Sequence, residues 1–387
     1  MMLVSCNSRE QYREQKMKDF SLAMTAEDSV ISANVNGLGF AIFKEITSKG
    51  NSQSFVLSPL SAASTLAMTT NGASGLALQE LEQIIGSSQN TNDFFRKYIK
   101  ASPHGKDNSV ILNNLIAVDK KYPLNDSFVN LLQDSYRAVV NNYDFSDSKT
   151  VSEINDWMKE CTGGRISKVI DKIDEQQAAY LINTLRFKSK WADPFSEDIT
   201  EEWRFVKDNG DTIMLPMMYQ EMSAEMMEND EYQALAKGMD LKHFKMLFVL
   251  PKKQTLSAFS SMINQKMFYE ILDSLQLIDE DIRISIPRFS VSSEYNCSEL
   301  FKRMMPNAFG PKPNLSRISQ VPFRINHVIQ KTRIDVMESG VEATSATTMG
   351  YGSLGMSPSF CADHPFLYFI YDDISRTILL MGQYCGD

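Results

Sequence analysis

Apolar positions along the chain follow two different periods, and the balance between them shifts near the middle. Between Val35 and Ile46, the residues Leu38, Phe40, Ile42, Phe43 and Ile46 recur at roughly helical spacing. Ser54-Phe55-Val56-Leu57 then gives a short buried-strand signal. Ser58-Pro59 follows as an N-cap with proline in the first turn, opening a helix through Met68. Leu76 to Ile85 predicts a helix closed by Gly86. Val110 to Val118 alternates as a strand, and Ser127 to Val139 and Val151 to Glu160 read as helices, the second ending near Gly163-Gly164. Strand signals dominate afterwards: Ala179–Phe187, Lys245–Leu250, Ile282–Phe289, Thr332–Met337, Phe366–Tyr371 and Ile378–Gly382, with at least one helix within Leu256–Leu275. Helices early and strands late, without regular alternation, indicate an α+β fold.

One segment breaks both periods. Residues 338 to 361 lie between two strand signals yet consist mostly of small residues. A connection this long in a compact domain is usually functional or disordered. Its first half is not linker-like. Val341, Ala343, Ser345 and Thr347 alternate with Glu342, Thr344, Ala346 and Thr348, and an extended chain turns one set to each side. The set led by Val341 carries no charge and no large side chain, whereas Glu342 points the other way. No proline intervenes before Pro358, so the segment could join a sheet by strand addition.

Composition narrows the function classes. The 387 residues are 43% hydrophobic and 22% charged, ordinary for a globular protein, and no apolar run approaches the length of a membrane span. A net charge of −9 argues against nucleic acid and against a heparin-type polyanion as partner. No cofactor is indicated. The five cysteines, Cys6, Cys161, Cys297, Cys361 and Cys385, are scattered and form no C-x-x-C pair, so unpaired, mostly buried thiols are expected and no metal site. Leu3-Val4-Ser5-Cys6 resembles a bacterial lipobox, which would make Cys6 a lipid attachment point, residues 1–27 a polar tether, and the location secreted or cell-envelope. Only five residues precede Cys6, short of the apolar stretch of a signal peptide, so a chance tetrapeptide is the alternative. Catalytic motifs are missing from the sequence: there is no H-E-x-x-H and no phosphate-binding G-x-x-x-x-G-K-[ST], and Tyr351-Gly352-Ser353-Leu354-Gly355 lacks the first glycine of a nucleophile elbow.

Seven blocks, taken in order, resemble the serpin family over roughly residues 30 to 385. They are Phe55 to Ser61 with Ala67-Met68 and Gly72-Ala73; Asn183 to Trp191 with Pro194-Phe195; Met217 to Gln220; Phe248 to Pro251; Ile286 to Phe289; the hinge-like Glu338-Ser339-Gly340-Val341-Glu342-Ala343-Thr344; and Phe360 to Ile370 with Met381-Gly382. The resemblance implies a domain over residues 28–387 with three β-sheets, eight or nine helices and a reactive loop at about 338–359. It implies suicide inhibition: a serine protease attacks the loop and forms an acyl-enzyme, and the cut arm enters the main sheet as a new strand. The arm from Gly340 to Leu354 has 15 residues, roughly 50 Å when extended at about 3.3 Å each.

By the same resemblance the hinge comprises Glu338, Gly340, Val341, Glu342, Ala343, Thr344, Ser345, Ala346 and Thr347, and the sheet-opening region Ser58, Asn183, Trp191 and Gln330. Two departures stand out. Val341 replaces the usual threonine, and Gln330 replaces a histidine that bonds the asparagine aligned with Asn183, a bond Gln330 could imitate. Counting from Gly340 and from Pro365 gives the same reactive bond, Leu354–Gly355. A leucine there needs an apolar specificity pocket, as in chymotrypsin-, elastase- or subtilisin-like enzymes. The expected partner is such a protease, held covalently by a monomer that is not itself an enzyme. A non-inhibitory binding or chaperone member of the family, or an inhibitor of cysteine proteases, are the competing readings.

Overall fold

A computed structural model describes residues 24–48, 53–173, 177–342 and 358–387. Cys6 and the loop positions Ala343, Thr344, Ser345, Ala346, Thr347, Leu354 and Gly355 lie outside the described residues. Local signals set most element starts. Thr25 and Asp28 form a reciprocal capping box for the helix Ala26–Thr47, so this helix begins nine residues before the apolar pattern that predicts it and reaches into the expected tether. Ser58 caps the helix Pro59–Gly72 by accepting a hydrogen bond from the Ser61 amide. The predicted helix from Ser127 ends at Tyr136, where Arg137 turns left-handed, and Val139–Tyr143 runs on as a strand instead.

The strands form two hydrogen-bonded sheets among the described residues. The larger contains β1 (Phe55–Leu57), β5 (Glu201–Val206), β6 (Thr212–Glu228), β7 (Tyr232–Gly238), β8 (Phe244–Pro251), β9 (Gln276–Pro287), β13 (Ser359–Cys361), β14 (Phe366–Asp372) and β15 (Ile378–Tyr384). Its order is β1-β15-β14-β8-β7-β6-β9-β13, with β5 on β6. The smaller contains β2 (Ser109–Asp119), β3 (Val139–Tyr143), β4 (Ala179–Lys190), β10 (Phe289–Asn296), β11 (His327–Met337) and β12 (Gly340–Val341), in the order β10-β11-β12-β4-β2-β3. The expected second and third sheets are continuous here, because β6 runs for 17 residues and keeps β9 on one edge across an irregularity between Met222 and Ala224, while its other edge passes from β5 to β7. Ten α-helical segments are described, including the four-residue Pro306–Phe309. Cys161, Cys297, Cys361 and Cys385 are all free thiols, two of them buried.

One large core lies between the sheets and beneath the N-terminal helices. A second, smaller core lies on the outer face of the smaller sheet. There Ile154 and Met158 of the helix Lys149–Cys161 pack on Leu115, Tyr180, Ile182 and Ile329, across the seam between β4 and β11. Ile154→Ala should therefore cost about 2–4 kcal/mol in urea unfolding, against at most about 0.5 kcal/mol for the exposed Val30→Ala. Equal effects would mean the helix does not hold that seam.

Candidate functional site

The seam is only partly closed. β4 and β11 run parallel and pair over four positions, from His327 with Tyr180 to Gln330 with Asn183. Above them the strands part, and β12 lies antiparallel between both: Val341 opposite Val336 and Ser189, Gly340 opposite Met337 and Lys190. The Glu342 amide continues this ladder by donating to the Asp335 carbonyl at 3.0 Å. The anomalous segment thus begins inside the sheet. Gly340 makes the entry feasible. Its φ is +146°, and a Cβ there would stand 2.2 Å from the Ser189 carbonyl oxygen, so no larger residue fits this close approach.

The turn above the slot is fixed from β4's end. The Trp191 amide donates to the Ser339 carbonyl (3.1 Å), its indole Nε1 to the Met337 carbonyl (2.9 Å), and the Phe195 amide to the Glu338 carbonyl (2.9 Å). The buried Glu338 carboxylate accepts from Thr200 Oγ1 (2.8 Å) and Arg288 Nε (3.1 Å). Burial alone would raise its pKa, but these donors, Arg288 foremost, bring it below the usual carboxylate range. Beneath the same turn Lys237 is buried, donating to the Asp193 carbonyl (2.8 Å) and Gln220 Oε1 (2.7 Å), with its ammonium 4.6 Å from the Phe195 ring centre. Desolvation pushes this amine down to about 7.

Alternation along the hinge is observed at its first two positions, with a correction to what it means. Val341 is fully buried and belongs to the main core. Glu342 turns to the opposite face, as expected, but that face is not open solvent. The residue is 5% exposed, at φ +55°, beneath Arg165 (3.5 Å) and Arg186 (3.7 Å). These contacts exceed charge-assisted hydrogen-bond length. Burial accordingly pushes the Glu342 carboxyl up, with the two guanidiniums offsetting only part of it. Asp335, paired with Arg165, Arg333 and Ser290, completes the cluster. A substitution at Glu342 therefore disturbs a buried charge cluster. Arg165 lies just after the helix Lys149–Cys161 and has no sequence signal; Arg186 has one, since it alternates with the buried Leu185 and Phe187 and so faces away from the main core.

At the lower end the sequence expectation for Gln330 is also corrected. Gln330 does not bond Asn183. Its Oε1 accepts from the Ser58 amide (2.9 Å) and its Nε2 donates to the Ser58 carbonyl (2.8 Å). One backbone residue thereby satisfies both ends of the side-chain amide, leaving nothing directed at Asn183. Ser58 Oγ meanwhile donates to the Leu379 carbonyl at 2.7 Å. Asn183 instead donates to Asn114 Oδ1, which also accepts from Ser64 Oγ, and its own Oδ1 is buried without a hydrogen bond. Ser58, Gln330 and Asn183 therefore share one level of the seam. Trp191 does not belong with them: it lies eight residues beyond Asn183, just past the end of β4 and at the hinge end.

A family model described as "Serpin (serine protease inhibitor)" matches residues 33–386. The chain belongs to the serpin family. A serpin-like protein of Thermococcus kodakarensis is 29% identical over 371 residues, covering 92% of this chain and 85% of that protein. A serine protease inhibitor of Cyanea capillata is 27% identical over 376 residues, covering 93% and 98%. The structure of human thyroxine-binding globulin superposes with a TM-score of 0.84 at 22% identity, covering 92% of this chain and 98% of that one. The α+β class and serpin fold expected from the sequence are those observed. Serpins are in general protease inhibitors and not enzymes. Among the described residues of this serpin no group of three His, Cys, Asp or Glu side chains could hold a metal ion.

Two outcomes follow for the hinge. Val341→Arg would bury an unpaired charge at a cost of several kcal/mol, and Glu342→Arg would set a third guanidinium against Arg165 and Arg186. Both should release β12, read as faster hydrogen exchange at the amides of residues 341 and 342, while Glu342→Gln keeps it slow. Slow exchange in Glu342→Arg would show that Arg165 and Arg186 do not define that side. For Glu338 the sign is that of a lowered carboxyl: its stabilisation is in place above the unfolded-state pKa and is lost as pH falls through the folded one. Glu338→Gln should lower stability by about 1–3 kcal/mol near neutral pH, and its melting temperature should converge on that of the unchanged protein as pH falls. A gap that is constant with pH would contradict the Arg288 pairing.

Proposed function

We propose that this serpin traps serine proteases of apolar specificity as a suicide substrate cut at or near Leu354–Gly355. The observation that carries this reading is Val341 seated between Ser189 and Val336, the first rung of a strand position open at the top and closed by four pairs below. Continued in the same antiparallel register, the arm brings Leu354 level with Phe323, four residues below the start of β11. The target's serine forms an ester with the Leu354 carbonyl carbon as the amine of Gly355 leaves. Freed at one end, the arm parts the pairs between Tyr180–Asn183 and His327–Gln330 and passes beneath the helix Lys149–Cys161. Ala343, Ser345 and Thr347 share the parity of Val341 and enter facing the main core. Each is small and uncharged, so none obstructs entry. The attached enzyme is carried from one end of the sheet towards the other before water can release it.

The test is incubation with chymotrypsin-, elastase- and subtilisin-like enzymes. A complex surviving SDS, with a released fragment beginning at Gly355, is the expected result, and the cleaved protein should melt well above the intact one. Loop cleavage with neither complex nor stabilisation would identify a substrate and sink the trapping mechanism. Leu354→Arg should shift reactivity towards trypsin-like enzymes, whose pocket acid pairs an arginine that an apolar pocket leaves unpaired. A fragment beginning at Gly350, Gly352 or Ser357 would move the bond to Met349, Tyr351 or Met356.

A further inference from the structure

The larger sheet carries a cavity on its outer side. Along β6, β9 and β13, alternate residues such as Met218, Ile284, Ile286 and Phe360 enter the core. The residues between them form an outer face, bordered by the turn Glu197–Ile199. On that face Ile199, Trp203, Met217, Tyr219, Arg283 and Ser359 line a cavity of about 510 Å³. Trp203 is 55% exposed and Ile199 38%. An exposed apolar cavity rimmed by charge, with a half-exposed tryptophan, marks an interaction surface more often than idle exterior.

We infer that this cavity is a docking site for the target protease, receiving an apolar side chain from the enzyme surface beside its cleft. The inference rests on the reactive-bond reading given above. It is carried by the place where the loop rejoins the sheet. Ser359 lines the cavity and pairs with Arg283, and Gly355 is only four residues before it. Four residues span at most about 14 Å. An enzyme whose cleft encloses Leu354–Gly355 therefore lies over this face, since the chain leaving its cleft ends in the wall of the cavity. The floor and rim suit such an occupant. Met217, Ile199 and the Trp203 indole supply apolar surface, while Arg283 and Glu201 stand at the edge to hold polar groups of the enzyme loop. The site would select among enzymes that share an apolar specificity pocket but differ in the loop beside it.

The test uses the full chain and a chymotrypsin-like protease whose nucleophilic serine is replaced by alanine, so that binding is read without cleavage. Trp203→Ala should weaken Kd about tenfold or more, and Arg283→Ala by less. Neither should alter the bond cut by the active enzyme. An unchanged Kd in Trp203→Ala overturns the proposal. So does self-association of the unchanged chain, seen by light scattering and lost in Trp203→Ala, because a second copy then occupies the face. A tighter Kd in Trp203→Ala would mean that the chain's own residues 356–358 cover the cavity, and likewise overturns it. Trp203-dependent binding without an SDS-stable complex would sink the trapping mechanism and leave the docking face standing. Trapping at an unchanged rate in Trp203→Ala would do the reverse. Absence of binding to any apolar-specific enzyme defeats both.

Discussion

The seam between β4 and β11 is the constraint on which the rest of this molecule depends. Each strand is firmly held on its outer side, β4 by ten pairs with β2 and β11 by eight with β10. Between them there are four parallel pairs and two residues of β12. A sheet normally distributes its pairing evenly; here it is thinnest at its centre. Antiparallel pairing is somewhat more stable per residue than parallel pairing, so exchanging the four parallel pairs for two full antiparallel ladders runs downhill in backbone hydrogen bonding alone. What bridges the seam besides backbone pairing is the Gln330 amide clasped to Ser58 and the outer helix packed over Tyr180, Ile182 and Ile329.

Electrostatics at the top of the seam work in two directions. Glu338 and Glu342 are four residues apart, yet Arg288 and Thr200 stabilise the charge on one, while burial disfavours the charge on the other. Acidification thus loosens the anchor of the turn while favouring the seat of the strand that follows it. The buried Lys237 beneath the turn, with its pKa near 7, is neutral or charged according to small changes in its surroundings. Ionisable groups thus concentrate at the upper end of the seam, whereas the lower end relies on Gln330 and Asn183, which do not titrate.

Much of this architecture was legible in the chain. Ser58-Pro59 marked a helix start because capping is local chemistry, and Phe366–Tyr371 marked a buried strand because six consecutive large residues have few other fates. The α+β class followed from the order of such signals. Less legible were strands such as β5, where only Phe205 of six residues is fully buried, so neither period dominates. The helix Ser88–Ala101 was missed although Phe94, Phe95, Tyr98 and Ile99 carry its face, because its first turns are polar. In the site, Gly340 and Val341 were readable, since alternation and residue size speak directly to a strand. The partner of Gln330 was not: Ser58 lies 272 residues away, and a backbone peptide leaves no mark in sequence. The arginines over Glu342 were hidden for the same reason, their position being set by how the outer helix packs.

The seating of Val341 also fixes something like a reading frame. Because successive side chains of a strand face opposite ways, one known position determines the facing of every residue that follows it in the same strand. Loss or gain of a single residue just after Glu342 would turn the remaining arm over, exchanging the face of Ala343, Ser345 and Thr347 with that of Thr344, Ala346 and Thr348. Loss or gain of two would shorten or lengthen the arm and leave its faces intact. Length variation in this stretch is thereby constrained by parity before it is constrained by size, and a two-residue change is the gentler of the two.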